Sequence, residues 1–105
     1  MTDYVERLSR PTKAYKSYED SGFVTGDSPA THDVITDLGR PAIQGYISND
    51  GAGDLTFALK LEKAGSFGDE ITLKTTDDPW RFEGMDIYQI RVTWVTDTSY
   101  RIYTQ

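Results

Sequence analysis

The sequence predicts an all-β protein: a single antiparallel β-sandwich or jelly roll of about 7–8 strands, preceded by an extended N-terminal arm. Three observations lead to this fold class. Apolar and polar residues alternate with a period of two, clusters of Gly, Asp, Asn and Pro separate the alternating runs, and no segment keeps a helical period. The 105 residues suffice for one modest core, so we expect a single domain.

The arm is predicted over residues 1–20 and the sandwich over residues 21–105. Four bases and no acid lie between residues 7 and 16, whereas residues 17–105 hold seven bases and fifteen acids. Pro11 disfavours a helix because it lacks a backbone donor and pushes Arg10 toward extended geometry. We interpret the segment as a docking arm, with a loose solvated terminus as the alternative. The residues expected to bind a partner are Tyr4, Arg7, Leu8, Arg10, Lys13, Tyr15, Lys16 and Tyr18.

The clearest strands are three alternating runs. In "DLTFALKLE" the side chains of Leu55, Phe57, Leu59 and Leu61 share one face, which we expect to be buried. "IYQIRVTWVT" and "SYRIYT" repeat the pattern, and the short connection at 96–99 predicts that these two strands form a hairpin. The predicted core consists of Leu55, Phe57, Leu59, Ile90, Val92, Trp94 and Ile102.

Weaker strand signals complete the predicted sandwich. Ile71 and Leu73 give "EITLK" an alternating pattern, and a short piece surrounds Trp80 and Phe82. Further candidates are "GFVTG", "DVITDL" and "AIQGYIS". Tyr103 is predicted on the outward face of the last strand beside Arg101, a pair of residue types that protein interfaces favour.

Catalytic patterns are weak. His32 is the only histidine, and nothing in the sequence brings a serine to it as a triad would require. The acidic pairs 69–70 and 77–78 consist of strand neighbours, which face opposite ways. The chain has no cysteine, phosphate loop, zinc spacing or dinucleotide fingerprint. We therefore predict no enzyme, no catalytic residue, no cofactor and no metal site.

The stretch "ISNDGAGDLTF" is the one segment that resembles a metal loop. Asn49, Asp50 and Asp54 offer oxygen ligands, but Glu62 falls on a strand and no flanking helix is predicted, which excludes an EF-hand. Asn, Asp and Gly also tolerate left-handed backbone and hydrogen-bond their own turns. We interpret residues 49–54 as a turn, and a looser calcium site is the alternative.

The net charge of −6 argues against a nucleic-acid partner, because phosphate binding requires clustered cations. No apolar run reaches the roughly 20 residues of a membrane helix. The first ten residues lack the apolar centre of a signal peptide. We expect synthesis in the cytosol and no membrane partner.

Two successive stretches resemble small β-sandwich proteins of tailed bacteriophage virions, which include jelly-roll capsid decoration proteins. They are "GYISNDGAGDLTFALKLEKAGSFGDEITLKTTDD" and "FEGMDIYQIRVTWVTDTSYRIYT", within roughly residues 43 to 104. The resemblance implies a structural protein of the virion that binds the assembled shell, with the major capsid protein or another virion protein as partner. The basic arm and the acidic body favour a homo-oligomer, most simply a trimer. The alternative is a carbohydrate-binding module, because two Trp and seven Tyr offer aromatic rings.

Overall fold

A computed structural model describes residues 15–20, 29–95 and 98–105 of the chain. They form two four-stranded antiparallel sheets, which confirms the predicted all-β sandwich. Residues 1–14, which hold most of the predicted arm, and the predicted "GFVTG" strand lie outside the described residues. The elements in chain order are β1 (Lys16–Asp20), β2 (Ala30–His32), α1 (Val34–Leu38), β3 (Ala42–Asn49), β4 (Leu55–Lys60), β5 (Ile71–Leu73), β6 (Trp80–Ile87), β7 (Gln89–Trp94) and β8 (Tyr100–Thr104).

The strand order is β1-β8-β3-β6 in the first sheet and β2-β7-β4-β5 in the second. Among the described strands, only β4 and β5 are both consecutive and paired. Nearly every connection therefore carries the chain from one sheet to the other. The sharpest is the single residue Tyr88 between β6 and β7, whose backbone N–H donates to the Lys60 carbonyl oxygen and whose carbonyl accepts from Ile35.

The predicted hairpin of the last two strands is wrong. β7 pairs with β2 and β4, whereas β8 pairs with β1 and β3 in the other sheet. The predicted alternation of both strands is confirmed, since Ile90, Val92, Tyr100 and Ile102 are buried. The five-residue connection at 95–99 allows a crossing between the sheets as well as a hairpin, and the crossing buries both apolar faces against each other.

The predicted strand at "DVITDL" is also wrong, because residues Val34–Leu38 form the short helix α1. Val34 and Leu38, four positions apart, lie on one face of the helix and are fully buried. Gly39 ends the helix in the left-handed conformation at φ 80°, and its N–H donates to the Ile35 carbonyl oxygen.

The buried core lies between the two sheets. Leu55, Phe57 and Leu59 of β4 are buried as predicted, but Leu61 is 45% exposed because β4 ends at Lys60. Trp94 packs against the core while remaining partly exposed. The aromatic contacts bridge the sheets: the rings of Phe57 and Trp80 have centroids 5.0 Å apart.

The last five residues of the predicted arm form a strand of the first sheet. Residues Lys16–Asp20 are an edge strand of the first sheet, with Tyr18 opposite Ile102 of β8. The side chains of Tyr15, Ser17 and Glu19 face outward, and those of Lys16 and Tyr18 face inward. This alternation is the period-two pattern of a strand. The first sheet therefore includes residues Lys16–Asp20.

Truncating the fully buried Phe57 to Ala should lower the free energy of unfolding by about 3–5 kcal/mol, because it removes the ring and leaves a cavity. Urea denaturation measures this loss. Ile71, the cross-strand partner of Phe57, is 37% exposed and provides the control. Ile71→Ala should cost about 1 kcal/mol or less. Equal losses for the two variants would contradict the burial of Phe57.

Candidate functional site

A row of three tyrosines lies on the outer face of the first sheet. Tyr46 of β3 and Tyr103 of β8 are direct cross-strand partners, with ring centroids 5.9 Å apart and planes inclined by 17°. Tyr15, just before β1, stacks on the other side of Tyr103 at 5.8 Å and 24°. Tyr15 is 56% exposed. We call Tyr15, Tyr103 and Tyr46 the tyrosine row.

A groove of 580 Å³ opens beside the tyrosine row, between β8, β3 and β6. Its side chains are mainly polar and aromatic: it is lined by Gln44, Gly45, Tyr46, Arg81, Phe82, Glu83, Tyr103 and Gln105.

The groove lies beside an irregularity in the pairing of β3 with β6. Ala42 pairs with Ile87 and Gln44 pairs with Glu83, so β6 has two more residues than β3 between these points. Gly84 takes φ 72° within this bulge, a conformation that favours glycine. The bulge bends β6 next to the groove.

Gly45 determines how closely the strands approach under the groove. A Cβ at this position would overlap the backbone carbonyl oxygen of Tyr103 and lie 2.9 Å from the ring of Phe82. A side chain here would therefore push β3 away from β8. Because Gly45 has no side chain, β3 and β8 lie close together and the rings of Tyr46 and Tyr103 contact each other.

The edge strand β1 is fastened to the sandwich by side chains as well as by its ladder. Tyr18 Oη donates to Asp37 Oδ2 of α1 at 2.6 Å, and Thr104 Oγ1 donates to the Lys16 carbonyl oxygen at 2.6 Å. Burial raises the pKa of the Tyr18 phenol, and the hydrogen bond to the Asp37 carboxylate raises it further, so the phenol stays protonated. β1 is thus joined to both α1 and β8.

His32 of β2 also contacts the edge strand β1. Its ring packs on Tyr18 with centroids 4.3 Å apart, and His32 Nε2 lies 2.8 Å from Tyr100 Oη. Asp33 Oδ2 accepts from Thr36 Oγ1 at 2.8 Å, while Oδ1 of the same carboxylate is buried without a hydrogen-bond partner in the described part of the chain. The arrangement joins the edge strands β1 and β2 of the two sheets through ring contacts and hydrogen bonds.

The loop at residues 49–54 is organised by the buried side chain of Asn49. Its Nδ2 donates to the carbonyl oxygens of Gly53 at 2.7 Å and Leu73 at 3.0 Å. Its Oδ1 accepts from Gly51 N–H at 3.1 Å and from Thr98 Oγ1 at 2.7 Å. One amide therefore connects three loops at this end of the sandwich.

The acidic oxygens of the same loop have protein donors. Asp50 pairs with Arg101 and accepts from Ser48 Oγ at 2.8 Å, while Asp54 Oδ1 accepts from the Thr75 N–H at 3.2 Å. The hydrogen bond from Arg101 holds the pKa of the Asp50 carboxyl below its usual range. These contacts are those of a folded turn. Among the described residues, no group of three or more His, Cys, Asp or Glu side chains could hold a metal ion.

The predicted partner-binding residues divide into three groups. Tyr4, Arg7, Leu8, Arg10 and Lys13 lie outside the described residues. Tyr15 is exposed in the tyrosine row. Lys16 and Tyr18 belong to β1, with Lys16 Nζ 5.5 Å from the Tyr18 ring centroid, and Tyr18 packs against the core.

Comparisons with known proteins assign no family. No family model and no curated protein matches the sequence. One similar solved structure is the crystal structure of PirA, which shares 16% sequence identity, with 93% of this chain and 99% of that chain covered and a TM-score of 0.41. No helix within the described residues is long and apolar enough to cross a membrane.

Replacing Asn49 with Ala should lower the free energy of unfolding by about 2 kcal/mol or more, because it leaves buried carbonyl and hydroxyl groups without partners. Thermal or urea unfolding measures the loss. Asp50→Ala is the control. It removes a partly exposed ion pair and the hydrogen bond from Ser48 Oγ, and should cost less than Asn49→Ala. Similar small losses for both variants would refute the role of Asn49.

Calcium should not change the thermal stability that the loop at residues 49–54 gives the protein. Because its carboxylates already accept hydrogen bonds from the protein, millimolar calcium or a chelator should leave the thermal midpoint unchanged beyond general screening. Differential scanning calorimetry gives the answer. A midpoint that rises with calcium in the parent, and not in Asp50→Ala and Asp54→Ala, would restore the calcium alternative.

Proposed function

We propose that the chain is a non-catalytic structural protein of a bacteriophage virion that attaches to the assembled capsid shell through its N-terminal arm and stabilises the shell. Its partner is the major capsid protein or another virion protein, and its location is the virion after synthesis in the host cytoplasm. The virion assignment rests on the resemblance of the sequence to small virion sandwiches. The mode of attachment rests on the anchoring of β1.

The observation that carries the proposal is the fastening of β1 at the point where the arm meets the sandwich. Tyr18 is tied to Asp37, and the Lys16 carbonyl oxygen is tied to Thr104. A strand that held only its ladder would peel from the sheet edge under load. Side-chain bonds to α1 and β8 resist this, as attachment through residues 1–14 requires.

The charge distribution supports docking of the arm on a protein. Arg7, Arg10 and Lys13 precede β1, and Leu8 supplies an apolar anchor among them. Opposite charges accelerate such docking, and apolar contacts prolong it. The acidic body offers the same complementarity to a neighbouring copy, so the proposal includes a homo-oligomer on the shell, most simply a trimer.

The full chain should sediment with capsid shells that lack it, whereas a chain without residues 1–14 should remain in the supernatant. The cut spares β1, so the truncated protein should keep its far-UV circular dichroism and its thermal midpoint. Raising the salt from about 50 mM to about 500 mM should weaken association without abolishing it, since the Debye length falls while apolar contacts persist. Quantitative sedimentation of mixtures measures each case.

A matched pair of triple variants separates the arm from general charge. Changing Arg7, Arg10 and Lys13 to Gln should impair sedimentation with shells. Changing Lys60, Lys63 and Lys74 of the body to Gln alters the net charge equally and should not. Equal effects of the two sets, or full binding by the truncated chain, would refute the attachment by the arm.

A further inference from the structure

We propose that the groove beside the tyrosine row is a binding site for an uncharged oligosaccharide. It lies on the first sheet between β8, β3 and β6, and its lining residue Tyr103 stacks on Tyr15 next to the β1 edge. The lining residues given above belong to the sandwich, so saccharide binding can be tested separately from attachment by the arm. A shell-bound chain would hold its saccharide with this groove.

The aromatic part of the groove leaves ring surface available for a sugar. The centroids of Tyr46 and Tyr103 are 5.9 Å apart although their planes are inclined by only 17°. Stacked carbon planes touch at about 3.5–4.0 Å, so the two rings are offset and each leaves part of its face uncovered. The C–H face of a pyranose ring is apolar and flat enough to pack on such a surface, while its hydroxyls point to the rim.

The polar part of the groove offers donors and acceptors together. Gln44 Nε2 donates to Gln105 Oε1 at 2.9 Å, and Tyr103 Oη donates to the same oxygen at 3.3 Å, so the amides are held in place. The side chains of Arg81 and Glu83 have no hydrogen-bond or ion-pair partner within residues 15–20, 29–95 and 98–105, although their backbones pair with β3. Their free donors and acceptors suit the hydroxyl groups of a sugar, each of which both donates and accepts.

The charge of the lining selects the class of ligand. Among the lining side chains, one guanidinium and one carboxylate balance, so these side chains favour neither a polyanion nor a polycation. The only purely apolar side chain in the lining, Phe82, is 5% exposed and belongs to the core. The groove therefore lacks the apolar pocket in which a peptide would bury an anchor residue. These features favour an uncharged saccharide over a peptide.

The proposal is tested with the full chain on immobilised glycans that span neutral hexose and N-acetylhexosamine linkages, followed by calorimetric titration with cellotetraose, maltotetraose, chitotetraose and the best-bound glycan. The parent should bind at least one neutral glycan. Tyr46→Ala should weaken that binding about tenfold or more, and Tyr46→Trp should retain it because the ring face is kept. Arg81→Gln and Glu83→Gln should each weaken binding while the thermal midpoint stays within the range of the control.

Phe67→Ala is the matched control, since it removes an aromatic ring that packs against Arg91 of the second sheet. It should leave glycan affinity unchanged. The proposal is overturned if the parent binds no neutral glycan at millimolar concentration, if Tyr46→Ala and Phe67→Ala behave alike, or if a charged glycan or a peptide library is bound in preference. Sedimentation with capsid shells is scored separately, so either proposal can fail without the other.

Discussion

The apolar layer between the two sheets is the interaction on which the rest of the structure depends. The chain has no cysteine, so no disulfide joins the sheets. Because almost every connection crosses from one sheet to the other, most strands pair with strands that are distant in sequence, and β5 with β4 is the exception. Burying Phe57 against Trp80 brings the second sheet onto the first. Such long-range pairing makes folding slow and cooperative, since loop-closure entropy must be overcome before the contacts form.

The inner packing also determines what the outer face can present. Strand alternation sends Tyr18, Ile102 and Ile47 inward, and the neighbouring positions on the same three strands face outward. The tyrosine row is therefore supported by buried residues directly beneath it. Close approach at Gly45 fixes the distance between β3 and β8, so the rings stand on a rigid base. Binding of a ligand to this face would cost little conformational entropy, because the rings are already ordered.

How much the sequence could predict depends on the range of the signal. Alternation identified β4, β7 and β8 with the correct faces, because period two is a local consequence of the strand backbone. The helix at Val34–Leu38 was missed although Asp33 before it and Gly39 after it mark its ends. The pairing of β8 was missed because a short connection does not reveal which sheet receives the next strand.

The candidate site is an extreme case of the same limit. Tyr15, Tyr46 and Tyr103 come from three distant parts of the chain and meet only because β3 and β1 both pair with β8. The outward position of Tyr103 beside Arg101 was predicted from alternation, but its two stacking partners were not. The groove follows from a bulge and from one glycine contact, neither of which leaves a repeating pattern. The Asn49 network also spans three loops, and only its Asn-Asp-Gly turn was visible in the sequence.

The bulge in β6 affects how the edges of two copies of the chain can meet. β6 is an edge strand of eight residues, long enough to recruit a strand from another molecule and so begin aggregation. Gly84 interrupts its regular pleat, and Glu83 and Asp86 place like charges on either side of the interruption. Two such edges fit poorly together, because the bulge breaks the regular pairing surface. Copies of the chain are therefore poorly suited to joining their first sheets edge to edge along β6.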